Sequence, residues 1–388
     1  MHKKYRPLFS LDPDVIYLNH GSFGACPKII FDTLISFQKK LEYEPVKFLD
    51  EHLYEYLKES RKSLSEYINC DRDDVAFFPN PSTALNTLIR SLDLNKGDQI
   101  LTTNHEYGAL DRTWNFISKK KGCEYVKIDI EVPFNDKQNF IDKFKQAINE
   151  NTKVIFLSHI TSPTALIFPV EEIIALAKKN NIITIIDGAH VPGHIELDIK
   201  RLDPDFYCGA CHKWMCSPKG VAFLYVKKEK LDEVQARWVG GYSDTGWSLV
   251  ENPTYLKGYV DTAHRFYYGS MSAPLFKGVV AAIDFHNTIG KEKIEARVKA
   301  LANHFYTRLQ NIDGVELLTP EEEKSRAAIV GFKLKNMDYN EFQVITMQNK
   351  MRIRGVAENG LNSVRASFHI YNTFEESDAL AELVKKTV

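Results

Sequence analysis

Short apolar runs rich in β-branched and aromatic residues recur along the chain at 75–78, 99–103, 125–130, 154–159, 182–186, 205–209 and 221–226. Helix-period patterns separate several of them, at 82–92, 107–120, 140–149 and 170–180. A run that is apolar throughout, rather than on alternate residues, suits a strand buried on both faces. Such strands alternating with helices fold as a mainly parallel sheet covered on both sides, an α/β architecture in three layers. The pattern predicts a seven-stranded sheet. The last run follows its predecessor too closely for a helical crossover, so it is expected to run antiparallel.

Past this region the pattern changes. Residues 278–309 read as a long charged helix with apolar positions at helical spacing. Strand patterns at 315–318, 327–334, 352–355 and 364–369, with helices at 340–349 and 375–384, describe a smaller α+β unit. The expected organisation is an N-terminal arm over 1–25, a large domain over 26–275 and a small domain over 276–388 that the long helix opens. A chain of 388 residues is ample for two cores.

Charge and cysteine content exclude several classes of function. Lys+Arg total 50 and Asp+Glu 51, a net charge of -1, so no general attraction to nucleic acid or anionic membrane is expected. No apolar run approaches the roughly 20 residues that span a bilayer. The basic start, 1–6, lacks the apolar core of a signal peptide. A cytoplasmic location is expected, and six scattered cysteines agree with it. Cys208 and Cys211 form a C-x-x-C beside His212 and Cys216. No second pair stands at ligand spacing, so buried thiols are preferred here over a metal or redox centre.

In a parallel α/β sheet, ligands bind beyond the carboxyl ends of the strands, and four features fall there. Asp187 ends an apolar run, where a carboxylate needs a partner such as a protonated pyridine nitrogen, unless it only makes a turn before Gly188. Lys213 follows the next run among aromatic and thiol neighbours. Desolvation would lower its pKa and make it a nucleophile toward aldehydes; a lysine capping a strand is the plainer alternative. Ser82 and Thr83 open a helix directly after a strand, which suits a phosphate as well as a simple N-cap. Arg365 lies inside an apolar run and calls for a planar anion, either a substrate carboxylate or an internal Asp or Glu.

In this order the four features resemble the class V aminotransferase superfamily of pyridoxal-phosphate (PLP) enzymes of fold type I. Within it they resemble the isopenicillin N epimerase-like branch, which also holds C–S lyases. The resemblance runs from Tyr17-Leu-Asn-His-Gly-Ser-Phe-Gly24 to Arg365–Asn372. It is most specific over 158–164, over Asp187-Gly-Ala-His190 and over Cys211-His-Lys-Trp-Met-Cys-Ser-Pro-Lys-Gly220. The resemblance implies that Lys213 carries PLP as a Schiff base and that Asp187 pairs with its ring nitrogen. It implies that His190 and Ser162 lie near the ring's phenolic oxygen and that Tyr107 stacks on the ring. Ser82, Thr83 and His212 would bind the phosphate. Ser270 would reach the phosphate of a second subunit, which implies a homodimer. Arg365 would grip the substrate carboxylate, with Asn19 and His20 nearby.

Lys213, once displaced by the substrate amine, would remove the Cα proton. Three outcomes follow: transamination, epimerisation or β-elimination. A cysteine desulfurase needs a mobile nucleophilic cysteine, and the matching loop, 352–364, has none. A C–S β-lyase acting on cysteine or an S-substituted cysteine is therefore the expected activity. The alternatives are an epimerase, which needs a proton donor on the opposite ring face, from Tyr107 or the His20 region; an aminotransferase; and a non-catalytic scaffold. The aromatic segment 237–268 is expected to serve as a pocket wall or as a dimer interface.

Overall fold

The computed structural model describes residues 2–245 and 255–388. After a two-residue strand, β1 (Ile16–Tyr17), the main sheet is built from β2 (Val75–Phe78), β3 (Gln99–Thr103), β4 (Glu124–Ile128), β5 (Thr152–Ser158), β6 (Ile183–Gly188), β7 (Phe206–Ala210) and β8 (Ala222–Val226). It has seven strands in the order β2-β8-β7-β6-β5-β3-β4. β3 to β7 pair in parallel, whereas β8 runs antiparallel to both β7 and β2. Thus the short 210–222 connection does reverse the chain. Every residue of β2, β3, β7 and β8 is buried, as near-continuous apolar runs require; edge strand β4 is partly exposed.

The expected long helix is two. Ala273–Ile289 ends at Gly290, whose φ of 100° no L-residue adopts readily, and Lys291–Gln310 starts directly after it. The first helix packs against the helices Lys28–Tyr43 and Leu53–Ile68 and adds Phe276, Val279 and Ile283 to the core of the main sheet. The second puts Leu301, Phe305 and Leu309 into a separate core with Phe332, Phe342 and Phe368. That core lies on a four-stranded antiparallel sheet, whose strands are β9 (Val315–Leu317), β10 (Ile329–Leu334), β12 (Arg354–Val356) and β13 (Ser363–Ser367), in the order β12-β13-β10-β9. We propose on these two cores the division into an arm, a large domain and a small domain.

The N-terminal arm joins the small sheet to the turn that follows β7. β1 pairs in parallel with β11 (Met351–Arg352), and Leu18 exchanges backbone hydrogen bonds with Arg352 and Ser367. Gly24 then passes so close to the Lys213 turn that a Cβ there would lie 2.5 Å from the His212 carbonyl oxygen. Among the described residues no helix is long and apolar enough to cross a membrane.

Candidate active site

The carboxyl ends of β2, β3, β5, β6 and β7 converge on one cavity of ≈ 250 Å³. Asn80, Pro81 and Ser82 enter it after β2, Tyr107 after β3, Ser158 at the end of β5, and Asp187 at the end of β6. Lys213 and His212 come from the turn after β7, and Arg354 and Arg365 from the small sheet. The arm adds Ser22 and Phe23.

Lys213 has no carboxylate within salt-bridge distance among the described residues. Burial, assisted by the charge of Arg365, lowers its amine to about 7, which leaves a substantial uncharged fraction near neutrality. Its Nζ lies 3.2 Å from His190 Nε2. The indole N–H of Trp214 donates to His190 Nδ1 at 3.2 Å. An indole only donates, so Nδ1 must be the bare nitrogen, and a neutral His190 carries its proton on Nε2, facing Lys213. Burial holds His190 neutral by pushing its pKa well down.

Asp187 is buried, and its Oδ1 accepts the Ala189 N–H at 2.9 Å. No donor reaches its other oxygen among the described residues. Burial pushes this carboxyl up against the weaker opposing pull of the Ala189 N–H and the charge of Lys213, and no cation forms an ion pair with it among the described residues. Ser158 is paired with Asp187 across the sheet. Beneath it the buried Glu106 accepts from Ser158 N, Ser158 Oγ and Thr103 Oγ1 at 2.9, 2.6 and 2.7 Å. Burial pushes the Glu106 carboxyl up to about 8.

Arg365 is 1% exposed and has no carboxylate at salt-bridge distance among the described residues. Its Nη1 donates to the Ser162 carbonyl and, at 3.2 Å, to Ser162 Oγ, while its Nη2 lies 3.4 Å from Ser22 Oγ. Its buried Nε has no partner. Among the described residues no internal Asp or Glu pairs with it, so this cation stays available to a ligand.

Other expected residues stand differently. Ser162 lines the cavity, but its Oγ is engaged by Arg354, at 2.9 Å, as well as by Arg365. Thr83 does not line the cavity: its N–H and hydroxyl both go to Asn80 Oδ1, at 2.8 and 3.1 Å, as in a plain helix N-cap. His212 Nδ1 donates to the Val221 carbonyl at 2.9 Å, and burial lowers its pKa to about 4. To donate to a phosphate it must take a proton on Nε2, which a bound anion favours. His20 lies behind Lys213 rather than in the cavity. Its Nδ1 meets Tyr371 OH at 2.9 Å, its Nε2 meets the Lys213 carbonyl at 3.1 Å, and its ring stacks on His369 at 3.8 Å. Asn19 acts at one remove, accepting from Ser22 Oγ at 2.6 Å. Ser270 is exposed and outside the cavity. No described residue of 237–268 lines it either, and Gly246 and Trp247 lie outside the described residues.

Sequence reasoning gave no role to Arg354, Ser22, Asn80 or Glu106. Ser22 lies inside the motif Tyr17–Gly24, Asn80 two residues before Ser82, and Glu106 beside Tyr107. Arg354 sat in a short strand pattern with nothing nearby to mark it.

The sequence model of the aminotransferase class-V family matches residues 32–380. The chain belongs to that family. It is 30% identical to isopenicillin N epimerase of Streptomyces clavuligerus, over 96% of this chain and 94% of that protein. Its identity to hercynylcysteine sulfoxide lyase of Schizosaccharomyces pombe is 26%, over 81% and 76% of the two chains. A solved C-DES mutant with glycine covalently linked to its PLP cofactor superposes with a TM-score of 0.90 at 22% identity, over 98% of each chain. The fold is PLP fold type I, and the chain is a PLP-dependent enzyme. The cavity fits the cofactor: it holds a lysine with a substantial uncharged fraction near neutrality, a buried carboxylate with no ion pair among the described residues, and a helix N-terminus.

Proposed function

We propose that this class-V enzyme is a C–S β-lyase that converts cysteine or an S-substituted cysteine to pyruvate, ammonia and a sulfur product. It works in the cytoplasm as a homodimer. The observation that carries this reading is the position of His20. Locked between Tyr371 and the Lys213 carbonyl, it is turned away from the cavity. Of the groups considered as an opposite-face proton donor, the His20 imidazole is thus removed, and Tyr107 lines the site together with Ser22, whose hydroxyl is engaged by Asn19. Elimination needs Lys213 alone, whereas epimerisation needs a second acid. The absence of cysteine from 352–364 argues against a persulfide route.

Bound in the cavity, pyridoxal phosphate supplies a conjugated ring that accepts the electron pair left at Cα. Asp187 balances positive charge on the ring nitrogen. Ser82, at the start of the helix Pro81–Ser91, holds the phosphate with His212. Tyr107 would flank the ring, and His190 would offer its Nε2–H to the phenolic oxygen. Arg365 binds the α-carboxylate and orients the Cα–H bond. Lys213, with a substantial uncharged fraction near neutral pH, takes the Cα proton as sulfur leaves Cβ with its bonding electrons.

A second reading, epimerase, is favoured by the similarity to isopenicillin N epimerase. One experiment separates them. The protein is incubated with cysteine, cystine and S-methylcysteine, and pyruvate and thiol are assayed. Pyruvate release that disappears in Lys213→Ala is expected. Deuterium exchange at Cα with loss of optical activity and no pyruvate would transfer the assignment to epimerase.

A further inference from the structure

We propose that Glu358 sets substrate specificity by occupying the second guanidinium of the pocket; the proposal rests on the reading of the site as one for amino acids. Two arginines meet at Ser162 Oγ, with Arg354 Nη1 at 2.9 Å and Arg365 Nη1 at 3.2 Å. Two cations this close need anions, and they differ in what they have. Arg365 has no ion pair among the described residues and feels Glu358 only at a distance. Arg354 has Glu358, whose Oε1 accepts from Arg354 Nη2. Both side chains of that pair are about one-fifth exposed, at 21% and 19%, so the pair stands at the mouth rather than in the core.

The segment that carries Glu358 is fixed on both sides. Residues 358–360 form a single turn with Asn359 in the left-handed region at φ 54°. Asn359 Nδ2 donates to the Asn104 carbonyl. The Glu358 Cγ rests against Gly108, next to the cavity residue Tyr107: a Cβ on that glycine would meet it at 3.4 Å. The carboxylate is thereby held at the rim as a resident anion on Arg354.

The consequence is selective. Arg365, without an ion pair among the described residues, receives the one α-carboxylate that every amino-acid substrate carries. A second, distal carboxylate finds Arg354 taken and meets the negative charge of Glu358. The substrate class is therefore amino acids whose side chains beyond Cβ are neutral or cationic. Removing the Glu358 charge frees Arg354 for a distal acid.

The test compares S-propyl-L-cysteine, which is neutral, with S-(2-carboxyethyl)-L-cysteine, which is acidic. Each is titrated against the visible absorption of the holoenzyme and assayed for pyruvate. The wild type should bind the neutral compound more tightly. Glu358→Gln should shift the ratio of dissociation constants toward the acidic compound by about tenfold, the value of one charge-assisted contact. The double variant Arg354→Gln/Glu358→Gln should lose that gain. Should Glu358→Gln fail to hold cofactor, Glu358→Asp withdraws the carboxylate by one methylene and should shift the ratio in the same direction. A wild type that binds both compounds equally, or a ratio that the variants leave unmoved, overturns the proposal. Spectral binding of both compounds without pyruvate would instead sink the lyase reading, and the binding ratio would still judge Glu358.

Discussion

Trp214 does not line the cavity, yet it decides what His190 can do. Its ring stacks on His194 at 3.6 Å while its N–H fills His190 Nδ1. His194 is fixed in turn, with Nδ1 on the His190 carbonyl at 2.8 Å and Nε2 accepting from the Ala328 N–H at 2.7 Å. The proton of neutral His190 is thus confined to Nε2, where the proposed site needs a donor. In Trp214→Phe the stacking ring survives but Nδ1 is left bare, and the two tautomers become comparable. Loss of one donor–acceptor contact should move the pH at which the holoenzyme's visible band titrates by about one pH unit, the equivalent of ~1.4 kcal/mol. A purely structural role would lower thermal stability and leave that titration in place, so spectra recorded across pH separate the two.

At the scale of elements, the arm 18–24 and the turn after β7 hold each other in position. Gly24 has φ 61° and ψ 160°, a conformation essentially closed to L-residues, and a Cβ would lie 2.6 Å from the Lys213 carbonyl oxygen. Gly24→Ala should therefore displace the Lys213 backbone. The expected outcome is a folded protein, destabilised by on the order of 2 kcal/mol, that retains PLP poorly in gel filtration; full retention and unchanged melting would refute the coupling. This contact was hidden in the sequence, whereas much else was legible. Strands 75–78 and 221–226 announced themselves because burial on both faces favours apolar residues throughout. The reversal of β8 followed from a connection too short for a helix. The break at Gly290 was missed because one glycine within apolar periodicity does not by itself end a helix. Lys213, Asp187 and Arg365 were readable as polar residues that end or interrupt apolar runs. Arg354 was not, since its meaning comes from meeting Arg365 at Ser162, a residue remote in sequence from both. The side-chain direction that turns His20 out of the cavity is likewise a product of tertiary contacts with Tyr371 and His369.

For the whole molecule, the proposed homodimer has a physical motive in its apolar surface. Ile29, Phe31, Tyr43 and Val46 are exposed on and just after the helix Lys28–Tyr43, as are Trp238, Tyr255 and Tyr268 in the segment that leads to Ser270. Exposed large apolar side chains clustered within two such segments suit an interface better than open water. A stable dimer of this kind would bury on the order of 2,000 Å² or more. Ser270 itself is exposed and makes no contact with its own cavity, so any phosphate it serves belongs to another copy. Sedimentation equilibrium should give a dimer at micromolar concentration. Ser270→Ala should remain dimeric but bind PLP about tenfold more weakly, consistent with one lost hydrogen bond to an anion. Dilution that dissociates the wild-type dimer should release cofactor in step. A monomer that holds PLP as firmly as the concentrated protein would remove Ser270 from the site and leave the exposed aromatics without this explanation.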